Sequence, residues 1–151
     1  MLRKFMFSTL AGAALTLSTT AFAQGVGTAA EAKAMVEKAV TELKANEAAA
    51  LAKFNKADGG FRDRDLYVYC FEKSTGKFTA HVNPALMGTD VRALKEKDGA
   101  PLGQKVFDAA KEGTITTISY NFPKPGGTDP VAKEAFVTAV GNQGCGVGYY
   151  K

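Results

Sequence analysis

The sequence is poor in the residues on which enzyme and metal chemistry depend. Its 151 residues include one histidine, His81, and two cysteines, Cys70 and Cys145. No C-x-x-C or C-x-x-C-H occurs, so covalent haem attachment is excluded. One histidine and two separated cysteines are too few ligands for a structural zinc site. G-x-S-x-G, H-E-x-x-H and G-K-[ST] are all absent. A cysteine nucleophile would need a base, and His81 is the only histidine to supply it. Asp98-Gly99 lacks the further acids of an EF-hand loop and reads as a turn. These absences predict a protein that is not an enzyme and carries no metal or cofactor.

Charge excludes a second class. The formal net charge is +4, but Arg3 and Lys4 lie in a segment that reads as removable. They form a positive start, Phe5–Leu17 is apolar apart from Ser8, Thr9 and Thr16, and Ala21-Phe22-Ala23 is an A-x-A cleavage site. Residues 1–23 therefore read as a secretory signal peptide, with an apolar run too short for a membrane span. No cysteine follows that run, which argues against a lipoprotein. Removing Arg3 and Lys4 from the 19 basic residues leaves 17 against 15 acidic ones. No basic cluster or basic–aromatic interleaving remains, so nucleic acid is not an expected partner. Residues 24–151 are the length of one ordinary domain.

Thr28-Ala29-Ala30-Glu31 is a capping box, and no Gly or Pro follows until Asp58-Gly59-Gly60. Val36, Val40, Leu43, Ala50, Leu51 and Phe54 share a helical stripe, which predicts one long helix with Asn46-Glu47 as its weak point. Leu66–Phe71 is apolar on both alternating faces, as in a strand covered on two sides. Glu72–Gly76 is a polar hairpin connection, and Lys77–Val82 alternates as a second strand. His81 falls at its end, just before Asn83-Pro84, where the chain must leave the sheet. Asn83–Ala100 is an irregular connection long enough to imply a role. A short helix is predicted over Leu102–Glu112, ended by Gly113. Strands are predicted over Thr114–Phe122, Ala132–Val140 and Cys145–Tyr150. Gly146 and Gly148 alternate on one face of the last strand, where a close neighbour is required. The N-terminal helix is the expected neighbour.

The hairpin with its Gly76, His81 and Asn83-Pro84-Ala85-Leu86-Met87-Gly88 resembles bacterial single Cache domains, which are extracytoplasmic sensor modules related to PAS domains. Lys97-Asp98-Gly99, Ser119–Pro123, Lys133–Val137 and Gly146–Tyr150 extend the resemblance in order, so that it covers nearly everything from Glu31 to Lys151. It implies an α+β fold, with the long N-terminal helix packed on a five-stranded antiparallel PAS-like sheet. The Asn83–Ala100 connection would roof a ligand pocket on the sheet's face.

The resemblance also implies site residues. His81 and Lys133 would face the pocket, with Tyr120 as the aromatic of the third strand. Tyr69 and Arg92 are further candidates, Tyr69 reading more readily as core or rim and Arg92 as a clamp in the roof. For His81 the alternative is a half-buried structural histidine bonded to backbone. Their positive character predicts a small organic acid as ligand. The first and last strands would be antiparallel neighbours, which places Cys70 near Cys145. An even cysteine count in an oxidising compartment then predicts a disulfide, provided both side chains share a face. The expected protein is a free-standing periplasmic binding module that signals through a membrane receptor or histidine kinase. The first part of the N-terminal helix is available to pair two copies as a homodimer, unless it simply covers the sheet. The competing class is a structural or interaction domain whose pocket is filled by side chains.

Overall fold

The computed structural model describes residues 25–124 and 126–151. The predicted signal peptide lies outside the described residues. Helix α1 spans Ala29–Ala45 and opens with the expected capping box: the Thr28 side chain accepts from the Glu31 N–H, and the Glu31 carboxylate accepts from the Thr28 N–H. Asn46 then turns extended, with φ −164°. Its side chain accepts from the Ala49 N–H at 2.9 Å and so caps a second helix, α2, Glu47–Lys56. The predicted single helix is thus two helices, because Asn46 serves as the end of one and the cap of the next. α1 buries Ala32, Met35, Val36, Ala39 and Leu43, and α2 buries Ala50 and Phe54. Along this stripe α1 covers the sheet.

The sheet comprises β1 (Arg62–Asp63), β2 (Leu66–Glu72), β3 (Phe78–Ala80), β4 (Thr116–Pro123), β5 (Pro130–Val140) and β6 (Gln143–Tyr150). The order is β1-β2-β6-β5-β4, with β3 also pairing β2, and all pairs are antiparallel. Five strands match the expected sheet. The two-residue β1 is additional and lies in the charged run Arg62-Asp63-Arg64-Asp65. The first long strand and the last are neighbours, in the register Val68↔Val147, Tyr69↔Gly146 and Cys70↔Cys145.

Because side chains alternate along a strand, this register sorts the two faces of the sheet. Leu66, Val68, Cys70, Cys145 and Val147 pack with α1 and α2 in one apolar cluster. Cys70 and Cys145 meet there as a disulfide. Phe54 and Phe61 close this layer edge to face, with ring centroids 4.6 Å apart. Tyr69, Phe71, Ile118, Ala135 and Val137 form the opposite face.

The opposite face is covered by the β3–β4 connection. It holds two short 3-10 turns, Pro84–Leu86 and Val91–Ala93, and helix α3, Leu102–Ala109. Gly103 of α3 lies against the Val91 carbonyl so tightly that no side chain fits between them. α3 ends earlier than predicted. Ala110 is extended, and Glu112 bridges in parallel to Ala139 rather than continuing the helix.

Candidate functional site

Between the roof and the sheet lies a cavity of about 30 Å³. Tyr69 of β2, Tyr120 and Phe122 of β4 and His81, just beyond β3, line it from the sheet. Val91, Leu102 and Val106 close it from the roof. The volume corresponds to roughly two water molecules.

Two of the three glycines of β6, Gly146 and Gly148, lie beneath the Tyr69 and Tyr120 side chains. A Cβ on Gly146 would collide with the Tyr69 hydroxyl. A Cβ on Gly148 would lie 2.5 Å from Lys133 Cε and 2.9 Å from the Tyr120 hydroxyl. Three polar side-chain ends therefore converge over a glycine pair. This corrects the expectation that the N-terminal helix is the close neighbour: α1 packs on the Cys145 and Val147 face, and the glycines open toward the roof.

Lys133 is 2 % exposed. Its Nζ stands 4.5 Å from the ring centroid of Tyr150, 5.0 Å from Tyr67 and 5.7 Å from Phe122. Aromatic faces thus replace much of its hydration. Burial pushes its pKa down to about 8, and the Asp65 carboxylate opposes that shift. Asp65 accepts the Gly27 N–H through one oxygen, while its other oxygen is buried with no partner among the described residues.

His81 accepts the Asn83 N–H at Nδ1, 2.9 Å away. That bond fixes the neutral ring with its proton on Nε2. Tyr67 and Phe78 hold the imidazole edge to face, each with centroids 5.3 Å away. Burial, and then the charge of Lys133, push the His81 pKa down to about 4. His81 is therefore both the backbone-bonded histidine and a cavity-lining donor. The Tyr69 hydroxyl is buried and finds no hydrogen-bond partner among the described residues. Burial drives the Tyr69 and Tyr120 pKa values well upward, so both remain hydroxyl donors.

Four of the five sequence candidates gather at the cavity: His81, Tyr120 and Tyr69 line it, and Lys133 lies beside it over Gly148 without lining it. Arg92 does not. Its guanidinium chelates Asp90 two residues earlier, at 2.6 Å, donates to the Thr75 carbonyl and stacks on Phe107. The roof turn that carries Arg92 closes this short-range pair, which points it away from the cavity. Sequence reasoning missed Tyr67, although its alternation with Tyr69 on β2 places both on one face. Asp65 carried no local signal, since it sits in a run of alternating charges.

A helix layer on one side of an antiparallel sheet and a roofed cavity on the other make up the fold of the Cache class. The chain belongs to the family described as Single Cache domain 2, whose model matches residues 10–149. A methyl-accepting chemotaxis protein from Pseudomonas putida, McpP, is 27% identical over 75 residues, covering 50% of this chain. The match spans only 14% of that longer protein. Among solved structures, a methyl-accepting chemotaxis protein from Vibrio parahaemolyticus superposes with a TM-score of 0.63 at 22% identity, over 80% of this chain and 86% of that one. A Cache chemosensory domain solved for its recognition of carboxylic acids gives 0.63 and 22%, over 80% and 91%. A periplasmic sensor domain of a chemotaxis protein gives 0.58 and 26%, over 79% and 87%.

Proposed function

We propose that this domain is a periplasmic, non-catalytic receptor module for a small carboxylate. Its signal passes through a membrane receptor or a histidine kinase. The observation that carries this reading is the unpartnered Tyr69 hydroxyl in a buried cavity, beside a caged lysine with no carboxylate within ion-pair distance among the described residues. A buried hydroxyl without a partner costs about 1–3 kcal/mol, which a bound acceptor would relieve. A carboxylate oxygen supplies only acceptors, and the Tyr69 and Tyr120 hydroxyls and His81 Nε2–H can each donate to it, with the Lys133 charge beside the cavity. The related domain solved with carboxylic-acid recognition supports the same ligand class.

The cavity volume favours the smallest acids unless the roof moves. Calorimetry against acetate, propionate, lactate and pyruvate tests the reading, with a quaternary ammonium compound as control. A preference for the cation would overturn it. The competing reading, a structural domain, draws support from how completely Tyr67, Phe122 and Tyr150 already surround Lys133. Thermal shift separates the two. A true ligand at 100 times its Kd adds about 2.7 kcal/mol of stability, and a structural domain gains nothing from any acid. Export is part of the same proposal: cleavage after Ala23 gives a periplasmic protein whose intact mass begins at Gln24, and mature material that retains Met1 would refute it. Among the described residues no helix is long and apolar enough to cross a membrane.

A further inference from the structure

The inner cavity adjoins a second, larger space with which it shares lining residues. Tyr67, His81 and Phe122 line both the 30 Å³ cavity and an outer cleft of about 400 Å³. The cleft carries Arg62, Arg64 and Lys124, and among the described residues no aspartate or glutamate lines it. Asp63 and Asp65 lie nearby. Asp63 and Glu31 are engaged by Arg64, at 2.7 and 2.6 Å, and Asp65 faces the Gly27 N–H. Arg62 and Lys124 take part in no ion pair among the described residues. Lys124 stands over the outer side of Tyr150, 5.6 Å from the ring centroid, whereas Lys133 lies 4.5 Å from the same centroid. Tyr150 is thus contacted by a buried cation and an exposed one.

We propose that the outer cleft is a second anion subsite and that the preferred ligand is a short dicarboxylate. One carboxylate enters the inner cavity beside Lys133. The carbon spacer passes between Tyr67, His81 and Phe122, the three side chains common to both spaces. The second carboxylate lies between Arg62 and Lys124. The inner volume admits little beyond one carboxylate head, and the outer volume accommodates the rest of such a molecule. The proposal rests on the carboxylate reading of the inner cavity and adds the chemistry at the far end of the ligand.

The test compares succinate with its monomethyl ester, at pH 7 and low salt, by calorimetry on the full domain. The expected result is that succinate binds about tenfold more tightly, the sum of two exposed charge contacts. That advantage should shrink in 0.5 M salt. It should disappear in the Arg62→Ala/Lys124→Ala double variant, whose affinity for the monoester and whose melting temperature stay unchanged because both side chains are exposed. Equal affinity for the two ligands in the unmodified domain, or an advantage that survives in the double variant, overturns the outer subsite alone. If neither ligand binds, or if Lys133→Met leaves both affinities unchanged, the inner carboxylate reading fails and the dicarboxylate proposal with it.

Discussion

Gly148 lies directly beneath Lys133, so close that a single methyl group on the glycine would come within 2.5 Å of the lysine's Cε. The lysine owes its position over the sheet to the side chain that β6 lacks at this point. The Tyr120 hydroxyl shares the same opening.

Gly148→Ala should therefore displace Lys133 and Tyr120 together. Overpacking of this kind costs about 1–3 kcal/mol. The expected outcome is a lower melting temperature and loss of measurable acid binding. A variant that melts and binds like the parent would show that Lys133 does not depend on the gap.

Tyr69→Phe separates stability from binding. Deleting a buried, unpartnered hydroxyl should leave the ligand-free domain as stable as before, or stabilise it by up to about 1 kcal/mol. Carboxylate affinity should nonetheless fall by about tenfold. Denaturant melts and calorimetry on the same preparation check both halves, and a destabilised variant with unchanged affinity contradicts the assignment.

Lys133 should give binding an alkaline limit. Its folded pKa is about 8 against an ordinary 10.5, so the cation that holds a carboxylate is lost above pH 8. Affinity is expected to be flat from pH 6.5 to 7.5 and to fall toward tenfold per unit above 8. Stability moves the other way. Between pH 8 and 10.5 the unfolded chain binds more protons, so the cost of burying the charge is complete below pH 8 and fades as pH rises. Lys133→Met should abolish the alkaline loss of affinity, and a pH profile unaffected by that substitution would sink the role.

His81 should stay neutral through the physiological range. With a folded pKa of about 4 and an ordinary value of 6.5, the unfolded chain binds more protons between those limits. The contribution of His81 to stability is therefore full above pH 6.5 and is lost as pH falls through 4. Imidazole proton resonances followed by NMR should show no inflection above pH 5. A midpoint near 6.5 would mean the ring is solvated.

The Cys70–Cys145 bridge joins residues 75 apart in sequence on the helix face of the sheet. Loop-closure entropy assigns it roughly 4–5 kcal/mol, an upper figure. The Cys70→Ala/Cys145→Ala variant should melt lower yet retain ligand affinity wherever it remains folded, because the cavity lies on the other face. Intact bridge formation is read by mass spectrometry after alkylation without reduction.

What the sequence made legible follows periodicity. Periodicity marked Leu66–Phe71 and the glycine-bearing last segment as strands, but only the family resemblance paired β2 with β6 and so placed the cysteines together. Alternation also put Gly146 and Gly148 on one face, but a glycine carries no mark of which layer covers it. The neighbour was therefore assigned to the helix when it is Tyr69, Tyr120 and Lys133. Asn46 looked like a weak point within one helix. Its cap to Ala49 depends on an extended backbone that propensity alone does not specify. Arg92 was legible as a roof cation but not as the partner of Asp90, because the short turn that joins them is set by the fold of the connection.

The glycine floor also constrains how the site can change by descent. Tyr69 with Gly146, and Lys133 with Gly148, are interlocking halves, each pair drawn from two strands. A side chain gained at 146 or 148 is harmful while its large partner remains, and a large partner lost first leaves a hole. Mutational drift must therefore pass through a narrow order of steps: the bulky residue shrinks, and only then does the glycine grow. Relatives that have exchanged one ligand for another should carry both replacements together. A saturation library of the four positions, selected for folding alone, should return the same pairwise dependence.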